Sequence, residues 1–464
     1  MSVPYWIEDA IFYQIFPDRF ANGDPAHINF NTVPWDAAPT AHGFQGGDLR
    51  GIIQKLDYLL DLGINAIYLN PIFQSPSTHR YNTSDYFRID LKLGDLHDFS
   101  TLISAAHTNG IRIILDGVFN HCGRGFFAFN DLLENQEHSL YRDWFHVRRF
   151  PVQAYTPGEA EDYDAWWGFK SLPKLNTSVP AVRRYIMDVA RYWIEMGADG
   201  WRLDVPNEID DDDFWAEFRK VVHAANPDAY LVGEIWDGDP RWVGEDKFDG
   251  LMHYPFREAV LKWLNGDENA AQFAERSERL VSLYPRENTN AMFLVMGSHD
   301  TERIKTMLHG DLAKLKLAFL LQFTFPGVPS IYYGDEIGTE GGKDPDSRRT
   351  FQWDANHWQV ELRQWAQRLI HLRKTIPALR RGDYRRIWVD SQRRGYAFAR
   401  TLGESWALVV MNASATRRTA RLDISPLGWP DGRIVRSMLD SGEYIVSGNE
   451  LALSIEPWTG LVIA

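Results

Sequence analysis

Four short segments of the sequence each place acidic side chains where an apolar run ends. These segments are residues 116–121, 200–204, 233–236 and 298–300. Short apolar runs are typical of strands buried in a parallel sheet, and a polar residue at the carboxyl end of such a strand lies at the rim of the sheet. Carboxylates, histidines and an arginine gathered at one rim could cleave a glycosidic bond by acid–base chemistry.

The acidic residues differ in their predicted surroundings, and this difference suggests separate roles. Arg202 and Asp204 are two residues apart on a strand, so their side chains share one face and the guanidinium favours an ionised carboxylate, as a nucleophile requires. Glu234 follows the apolar run 230–232, and apolar walls with anionic neighbours are predicted to keep it protonated, as a general acid requires. Such a pair cleaves glycosides with retention of configuration when the carboxyls lie about 5–5.5 Å apart.

Asp300 supplies a third carboxylate, which could bind sugar hydroxyls more tightly in the transition state. His121 and His299 offer donors for the same hydroxyls. Any one of these residues could simply tie a loop, but four such segments at matching strand ends favour a shared site. A metal-dependent hydrolase is the alternative, since Asp and His also bind zinc. The arginine beside Asp204 and the lack of a His-x-His pair after the first strand argue against it.

Eight β-rich apolar runs alternate with helical patterns over most of the chain, which indicates repeated βα units. Between the first two runs, residues 48–63 carry apolar side chains at helical spacing and end in a glycine. This pattern predicts an α/β protein with a closed (β/α)8 TIM barrel formed by residues 1–122 and 176–379. The predicted strands are residues 11–16, 65–69, 111–115, 201–203, 230–232, 251–253, 292–296 and 330–333.

Two regions depart from this alternation. Residues 123–175 are rich in aromatic and charged residues and follow the third strand, which predicts a small insertion domain over the barrel mouth. Residues 380–464 contain short alternating runs that are typical of a C-terminal antiparallel β-sandwich.

The composition indicates a globular protein with a neutral ligand. The 464 residues are 44% hydrophobic, and the net charge of −14 argues against nucleic-acid or membrane partners. Cys122 is the single cysteine, so no internal disulfide can form, and it is predicted to be buried. The start of the sequence has no signal-peptide pattern and no segment has the pattern of a membrane helix, so a cytoplasmic location is expected.

The four segments resemble the conserved regions of the α-amylase superfamily, and the resemblance spans the whole chain. The sequence is most similar to the cyclomaltodextrinase, neopullulanase and maltogenic amylase group. Pro-Lys-Leu-Asn at 173–176 favours this group, since exo-acting oligo-1,6-glucosidases usually carry Pro-Asp-Leu-Asn there. The supporting segments are residues 12–20, 82–86, 172–176, 205–208 and 344–348.

The resemblance implies a role for each matching residue. It makes Asp204 the nucleophile, Glu234 the acid/base and Asp300 the transition-state stabiliser, with no cofactor for the chemistry. Tyr86 is expected to stack under the sugar at the cleavage point, and Trp236 to contact the leaving-group side. Further substrate contacts are expected from Arg202, His121, His299, Asp344 and Arg348, with Asp116 and Asn120 as structural residues near the site.

The sequence also departs from the group. The group's N-terminal β-sandwich module, which helps a partner subunit narrow the cleft, has no counterpart before the first strand, so a homodimer is expected only by resemblance. The group's calcium loop is present in part, as Asn22, Asp24, Gly46 and Asp48. His27 and Ile28 stand where oxygen ligands are expected, and calcium requires six to eight oxygens. Pro206 replaces the group's usual alanine.

The expected substrates are cyclic or short maltooligosaccharides such as cyclodextrins, pullulan fragments or cyclic maltosyl-maltose. Cleavage is expected at α-1,4 bonds, and cleavage at α-1,6 bonds as well is an open alternative. Two alternatives use the same fold. One is an exo-acting α-glucosidase, an oligo-1,6-glucosidase or a transglycosylase, and the other is a non-catalytic barrel that serves as a binding subunit. The complete set of carboxylates and the absence of an anchor pattern argue against the second.

Overall fold

Eight parallel strands form the centre of the molecule in the computed structural model, which describes residues 3–26 and 32–464. They occur in the order β6-β5-β4-β3-β2-β1-β8-β7, and a parallel bridge between Met252 and Phe293 joins the two ends. The predicted closed barrel is therefore confirmed. The strands are β1 (Phe12–Ile15), β2 (Ala66–Leu69), β3 (Arg112–Gly117), β4 (Gly200–Leu203), β5 (Tyr230–Gly233), β6 (Gly250–Leu251), β7 (Phe293–Val295) and β8 (Val328–Tyr332).

The barrel strands are buried on both faces, because side chains fill the interior and helices cover the outside. This explains why the strands appear in the sequence as continuous apolar runs. At the start of β4, the backbone of Gly200 approaches β5 so closely that a Cβ on Gly200 would lie 2.1 Å from the carbonyl oxygen of Tyr230. Only glycine fits this position.

The helices surround the barrel. The predicted helix over residues 48–63 is two helices, α2 (Leu49–Gln54) and α3 (Leu56–Leu62), because Lys55 between them has φ −109° and ψ 10°. The described helices are α1 (Pro17–Phe20), α2 (Leu49–Gln54), α3 (Leu56–Leu62), α4 (Leu96–Thr108), α5 (Phe127–Asn135), α6 (Pro180–Glu195), α7 (Asp212–Ala225), α8 (Tyr254–Asn265), α9 (Ala270–Ser282), α10 (Arg286–Asn290), α11 (Ile304–Met307), α12 (Leu312–Thr324), α13 (Val360–Thr375) and α14 (Pro377–Arg381). None of them is long and apolar enough to cross a lipid bilayer.

The segment 123–175 contains α5 and several short 3₁₀ turns. Its carboxyl end is attached by hydrogen bonds to the loop that follows β3, where the segment begins. The backbone N–H of Cys122 donates to the carbonyl of Pro173, and that of Leu175 donates to the carbonyl of Asn120. Cys122 is buried, as predicted.

Two four-stranded antiparallel sheets follow the last helix and enclose a second apolar core. Their orders are β9-β10-β11-β16 and β12-β15-β14-β13, which confirms the predicted C-terminal antiparallel sheets. The exact domain boundaries stay predictions. The strands are β9 (Asp383–Asp390), β10 (Gly395–Leu402), β11 (Ser405–Asn412), β12 (Arg418–Asp423), β13 (Ile434–Arg436), β14 (Glu443–Ser447), β15 (Glu450–Ile455) and β16 (Thr459–Ile463).

Candidate active site

The guanidinium of Arg202 lies at the centre of the candidate site. Its Nη1 is 2.9 Å from Asp116 Oδ1 and 2.9 Å from Asp204 Oδ1, and its Nη2 is 2.8 Å from Glu234 Oε2. The strand registers place Asp116 and Arg202 at the same level along the barrel axis, since Asp116 on β3 pairs with Arg202 on β4. Arg202 in turn pairs with Val232 on β5, two residues before Glu234. Three carboxylates from neighbouring strands therefore share one fully buried cation. The guanidinium occupies the place between them, which argues against the metal-dependent alternative.

Asp204 directly follows β4 and is itself followed by a strained residue. Val205 has φ 36° and ψ 52°, a left-handed conformation that β-branched residues rarely adopt. In this conformation its backbone N–H donates to Glu234 Oε2 at 3.1 Å. Pro206 comes next and disfavours the right-handed α region for Val205. The turn after Asp204 thus contributes to the position of Glu234.

The surroundings of Asp204 differ from the sequence-based expectation. Burial raises the pKa of the Asp204 carboxyl well above its usual range, Arg202 acts in the opposite direction, and Glu234 and Asp116 raise it further. The expectation that Arg202 keeps this carboxylate ionised therefore omitted the larger effect.

Trp236 lies on the other side of Glu234. Its indole Nε1 donates to Glu234 Oε1 at 3.2 Å, and its ring stacks on Tyr254 with centroids 3.8 Å apart and planes within 1°. The Trp236 side chain is 48% exposed, so the stacked pair forms an open wall beside Glu234.

A cavity of about 710 Å³ opens along the chain that follows Asp204, and Lys174 and Glu208 contribute to its lining.

Asp300 follows β7 and meets a second basic group. The Nη2 of Arg348 is 3.6 Å from Asp300 Oδ1, and its Nη1 is 3.0 Å from Asp344 Oδ1. The Nε2 of His299 is 3.0 Å from Asp300 Oδ2. Burial, which is the larger cause, and the charges of Arg348 and Arg202 lower the pKa of His299 well below its usual value. The four predicted residues Asp300, His299, Arg348 and Asp344 therefore lie together.

His121 reaches the site from the loop after β3. Its Nδ1 is 3.2 Å from the side-chain nitrogen of Asn120, and its Nε2 is buried with no hydrogen-bond partner among residues 3–26 and 32–464. Burial lowers the pKa of His121 to about 3, so the imidazole is neutral. An N–H or lone pair at Nε2 is thus available for a ligand hydroxyl.

The prediction that Tyr86 stacks under the sugar is wrong in its placement of the side chain. Tyr86 is only 1% exposed, and its hydroxyl donates to the carbonyls of Val118 and His121 at 2.9 and 2.8 Å. It lies in the strand Asp85–Ile89, which forms a short hairpin with Phe73–Gln74, and its ring packs into the core. It supports the loop that carries His121.

The aromatic residue that reaches the site is Tyr81, which the sequence analysis missed. Its hydroxyl donates to Asp116 Oδ2 at 2.8 Å, and its ring stacks on His299 with centroids 5.3 Å apart and planes within 5°. The His79 ring is also stacked with Tyr81, with centroids 6.0 Å apart. The signal that could have identified Tyr81 is its place in the loop that follows the carboxyl end of β2.

The partial calcium loop is built around hydrogen bonds and an arginine. Asp48 Oδ1 accepts from the backbone N–H groups of Gly23 and Gly51 at 3.0 and 2.6 Å. Asp24 Oδ2 lies 2.6 Å from Nη1 of Arg50, whose Nε lies 2.7 Å from Asp98. Two of the predicted ligands are therefore already occupied by internal donors.

The other two predicted calcium ligands are Asn22 and Gly46. Asn22 and Gly46 are close, since a Cβ on Gly46 would lie 3.3 Å from the Asn22 amide nitrogen. His27 and Ile28 lie outside the described residues. Across residues 3–26 and 32–464, no cluster of three or more acidic, histidine or cysteine side chains could hold a metal ion. Calcium binding at this loop stays a prediction, in which Asp24 and Asp48 would have to exchange internal donors for the ion.

Thermal unfolding tests whether this loop binds calcium. We expect that neither calcium chloride nor EDTA shifts the Tm of the purified protein, because the Arg50 guanidinium supplies the positive charge between Asp24 and Asp98. Arg50→Ala is expected to lower Tm, measured by differential scanning calorimetry. Arg191→Ala is a matched control, since Arg191 is similarly exposed and pairs with Asp188 and Glu195 on α6. A Tm that rises with calcium in the unmodified protein would contradict the prediction.

Asp300 predicts a pH-dependent effect on stability. Burial, and after it the charge of Glu234, raises the pKa of Asp300 to about 7, whereas an aspartate in an unfolded chain titrates near ~3.9. The folded state therefore holds this proton more tightly, and the stability that it contributes is present below about pH 4 and lost as the pH rises through about 7.

The corresponding variant is Asp300→Asn, which cannot ionise. We expect its Tm to exceed that of the unmodified protein at about pH 8 and to match it at about pH 4, by calorimetry in matched buffers. The gain is expected to be modest, because the Asp300 side chain is 29% exposed and solvent screens part of the effect. Equal Tm changes at both pH values would contradict the assignment.

This fold and this site define a (β/α)8-barrel glycoside hydrolase, and comparison with known proteins gives the family. Residues 14–368 match the family described as the alpha amylase catalytic domain. The cyclomaltodextrinase of Geobacillus thermopakistaniensis (strain MAS1) is 44% identical over 460 residues, which cover 98% of this chain and 77% of that relative. The chain therefore belongs to the α-amylase family.

Solved structures agree with this assignment. The cyclic α-maltosyl-(1→6)-maltose hydrolase of Arthrobacter globiformis, in complex with its cyclic ligand, is 38% identical with a TM-score of 0.91 and full coverage of both chains. The debranching enzyme of Nostoc punctiforme is 41% identical, with a TM-score of 0.91 and coverage of 100% of this chain and 99% of that chain.

Proposed function

We propose that this enzyme hydrolyses α-glucosidic bonds in short or cyclic maltooligosaccharides with retention of configuration. The observation that carries the proposal is the contact of one buried arginine with Asp116, Asp204 and Glu234 at the ends of three neighbouring strands. Asp204 is the nucleophile that attacks the anomeric carbon, and Glu234 protonates the departing oxygen. Glu234 then removes a proton from the water that releases the sugar from Asp204.

The remaining residues bind the sugar in this proposal. Asp300, between His299 and Arg348, accepts hydrogen bonds from ring hydroxyls that strengthen as the ring flattens. The unpartnered Nε2 of His121 binds a further hydroxyl, and the partly buried ring of Tyr81 beside Asp116 contacts the apolar side of the sugar. Trp236 and Tyr254 form a wall for the leaving group.

The substrate class is supported by the functions in the names of the relatives. By those names they are a cyclomaltodextrinase, a hydrolase of cyclic α-maltosyl-(1→6)-maltose and a debranching enzyme. The cyclic maltosyl-maltose hydrolase matches this chain over the full length of both. We therefore give cyclic maltosyl-maltose the same weight as cyclodextrins, and we expect α-1,4 bonds to be cleaved.

Product analysis tests the proposal. The purified enzyme is incubated with β-cyclodextrin, pullulan, panose, maltotriose, cyclic maltosyl-maltose and soluble starch, and initial rates and products are measured by chromatography. We expect the cyclic and short substrates to be cleaved faster than starch. A higher rate on starch than on every small substrate would refute the small-substrate proposal.

The same products separate the proposal from the exo-acting alternatives. Release of maltose or panose supports the proposed activity, whereas release of glucose alone from chain ends indicates an α-glucosidase. Products longer than the substrate indicate transglycosylation. A complete lack of turnover would favour the non-catalytic barrel.

We propose further that the enzyme acts in the cytoplasm on a soluble oligosaccharide, without nucleic-acid or membrane partners. The acidic composition supports the second part, because anionic surfaces repel a protein with a net charge of −14. A homodimer is proposed from family resemblance alone, and sedimentation velocity of the purified protein tests it.

A further inference from the structure

An aromatic column leads from the candidate active site to solvent. The Trp166 ring stacks on His121 with centroids 5.5 Å apart and planes at 22°, and the Trp167 ring stacks on Trp166 at 4.6 Å and 8°. His121 belongs to the site, and Trp167 lies at the outer end of the column with 74% of its surface exposed. The three rings therefore form a continuous stack from the site outward.

Core packing does not explain why a tryptophan occupies the outer position. Burial of apolar surface is the usual reason for a large aromatic side chain, and Trp167 leaves most of its surface in water. Its backbone is also in the left-handed region, with φ 49° and ψ 28°, where glycine or asparagine is preferred. Strained residues of this kind are concentrated at functional sites.

The turn that carries Trp167 is held in place by hydrogen bonds. The backbone N–H of Trp166 donates to the carbonyl of Leu172 at 3.0 Å, and that of Ala160 donates to the carbonyl of Gly168 at 2.8 Å. In addition, the Tyr163 hydroxyl donates to the carbonyl of Lys170 at 2.8 Å. The exposed ring thus has a fixed position before any ligand arrives, which lowers the entropy lost on binding.

We propose that Trp167 is a binding platform for a glucosyl unit of the substrate outside the unit held at His121. One ring face rests on Trp166, and no other aromatic ring in the described parts of the chain stacks on Trp167. A pyranose face presents C–H groups that pack on such a ring. The platform selects α-glucans long enough, or cyclic and wide enough, to contact both His121 and Trp167, and this inference rests on the proposed function.

Binding measurements on a variant that does not turn over substrate test the platform separately from activity. Isothermal titration calorimetry compares Glu234→Gln with the double variant Glu234→Gln/Trp167→Ala, using maltohexaose as the long ligand and maltose as the short one. Removal of the Trp167 ring is expected to raise the Kd of both ligands by different factors. The factor for maltohexaose is expected to be about five to ten times the factor for maltose. Trp167→Phe in the same background is expected to restore most of the affinity.

Leu140→Ala provides a matched control, since Leu140 is 91% exposed in the same insertion segment and lies outside the column. It is expected to change neither Kd. Equal Kd values with and without the Trp167 ring would overturn the platform, and so would equal losses for both ligands, which would indicate an indirect effect through His121. A change in sedimentation coefficient with unchanged Kd would identify a protein contact and overturn it as well. If Glu234→Gln binds neither ligand, the proposed function itself fails.

Discussion

Glu234→Gln is expected to lower kcat/KM for maltooligosaccharides by about 10²- to 10⁴-fold, because glutamine cannot protonate the departing oxygen. The loss is expected to be far smaller for the first step with α-maltosyl fluoride, since fluoride leaves without a proton. The second step still needs a base, so the sugar remains on Asp204. We therefore expect a burst of fluoride of about one equivalent per enzyme, followed by slow turnover.

Asp204→Asn is the matched comparison for this experiment. The neutral amide is a poor nucleophile, so both maltotriose and α-maltosyl fluoride are expected to react slowly and without a burst. A fluoride-selective electrode measures the burst, and near-ultraviolet circular dichroism confirms that both variants are folded. A burst in Asp204→Asn, or an unchanged maltotriose rate in Glu234→Gln, would reverse the proposed roles.

The barrel could be predicted from the sequence because its strands are buried on both faces. Such strands are continuous apolar runs, and the polar residue that ends each run marks the rim where Asp204, Glu234 and Asp300 meet. The same logic located Arg202, because residues two apart on a strand share a face. These predictions depend on one strand at a time.

Features that depend on how loops fold were beyond the sequence. Tyr81 and Tyr86 are five residues apart, and only the hairpin between Phe73–Gln74 and Asp85–Ile89 directs the first ring to the site and the second into the core. Likewise, the residues that resemble the calcium loop indicate only oxygen ligands. The guanidinium that neutralises Asp24 comes from Arg50 on α2, which lies outside those residues.

Replacement of Arg202 is expected to have the largest combined effect on stability and activity, because this arginine balances the charge of three carboxylates. Arg202→Met would leave Asp116, Asp204 and Glu234 buried together without their shared cation. Removing one partner from a buried ion pair typically costs about 3–5 kcal/mol, so we expect a loss of at least this size in the free energy of unfolding at neutral pH. Urea denaturation followed by tryptophan fluorescence measures it.

The comparison with a second buried ion pair separates stability from chemistry. Arg219 pairs with the buried Asp249 at 2.8 Å, away from the rim, so Arg219→Met is expected to destabilise the protein while the folded fraction keeps its kcat.

Arg202→Lys retains a positive charge but contacts fewer oxygens at once. Because Arg202 lowers the pKa of Asp204 against the effect of burial, a weaker contact raises that pKa. The acidic limb of the kcat/KM profile of Arg202→Lys should therefore move to higher pH, and an unmoved limb would show that Arg202 does not control the ionisation of the nucleophile.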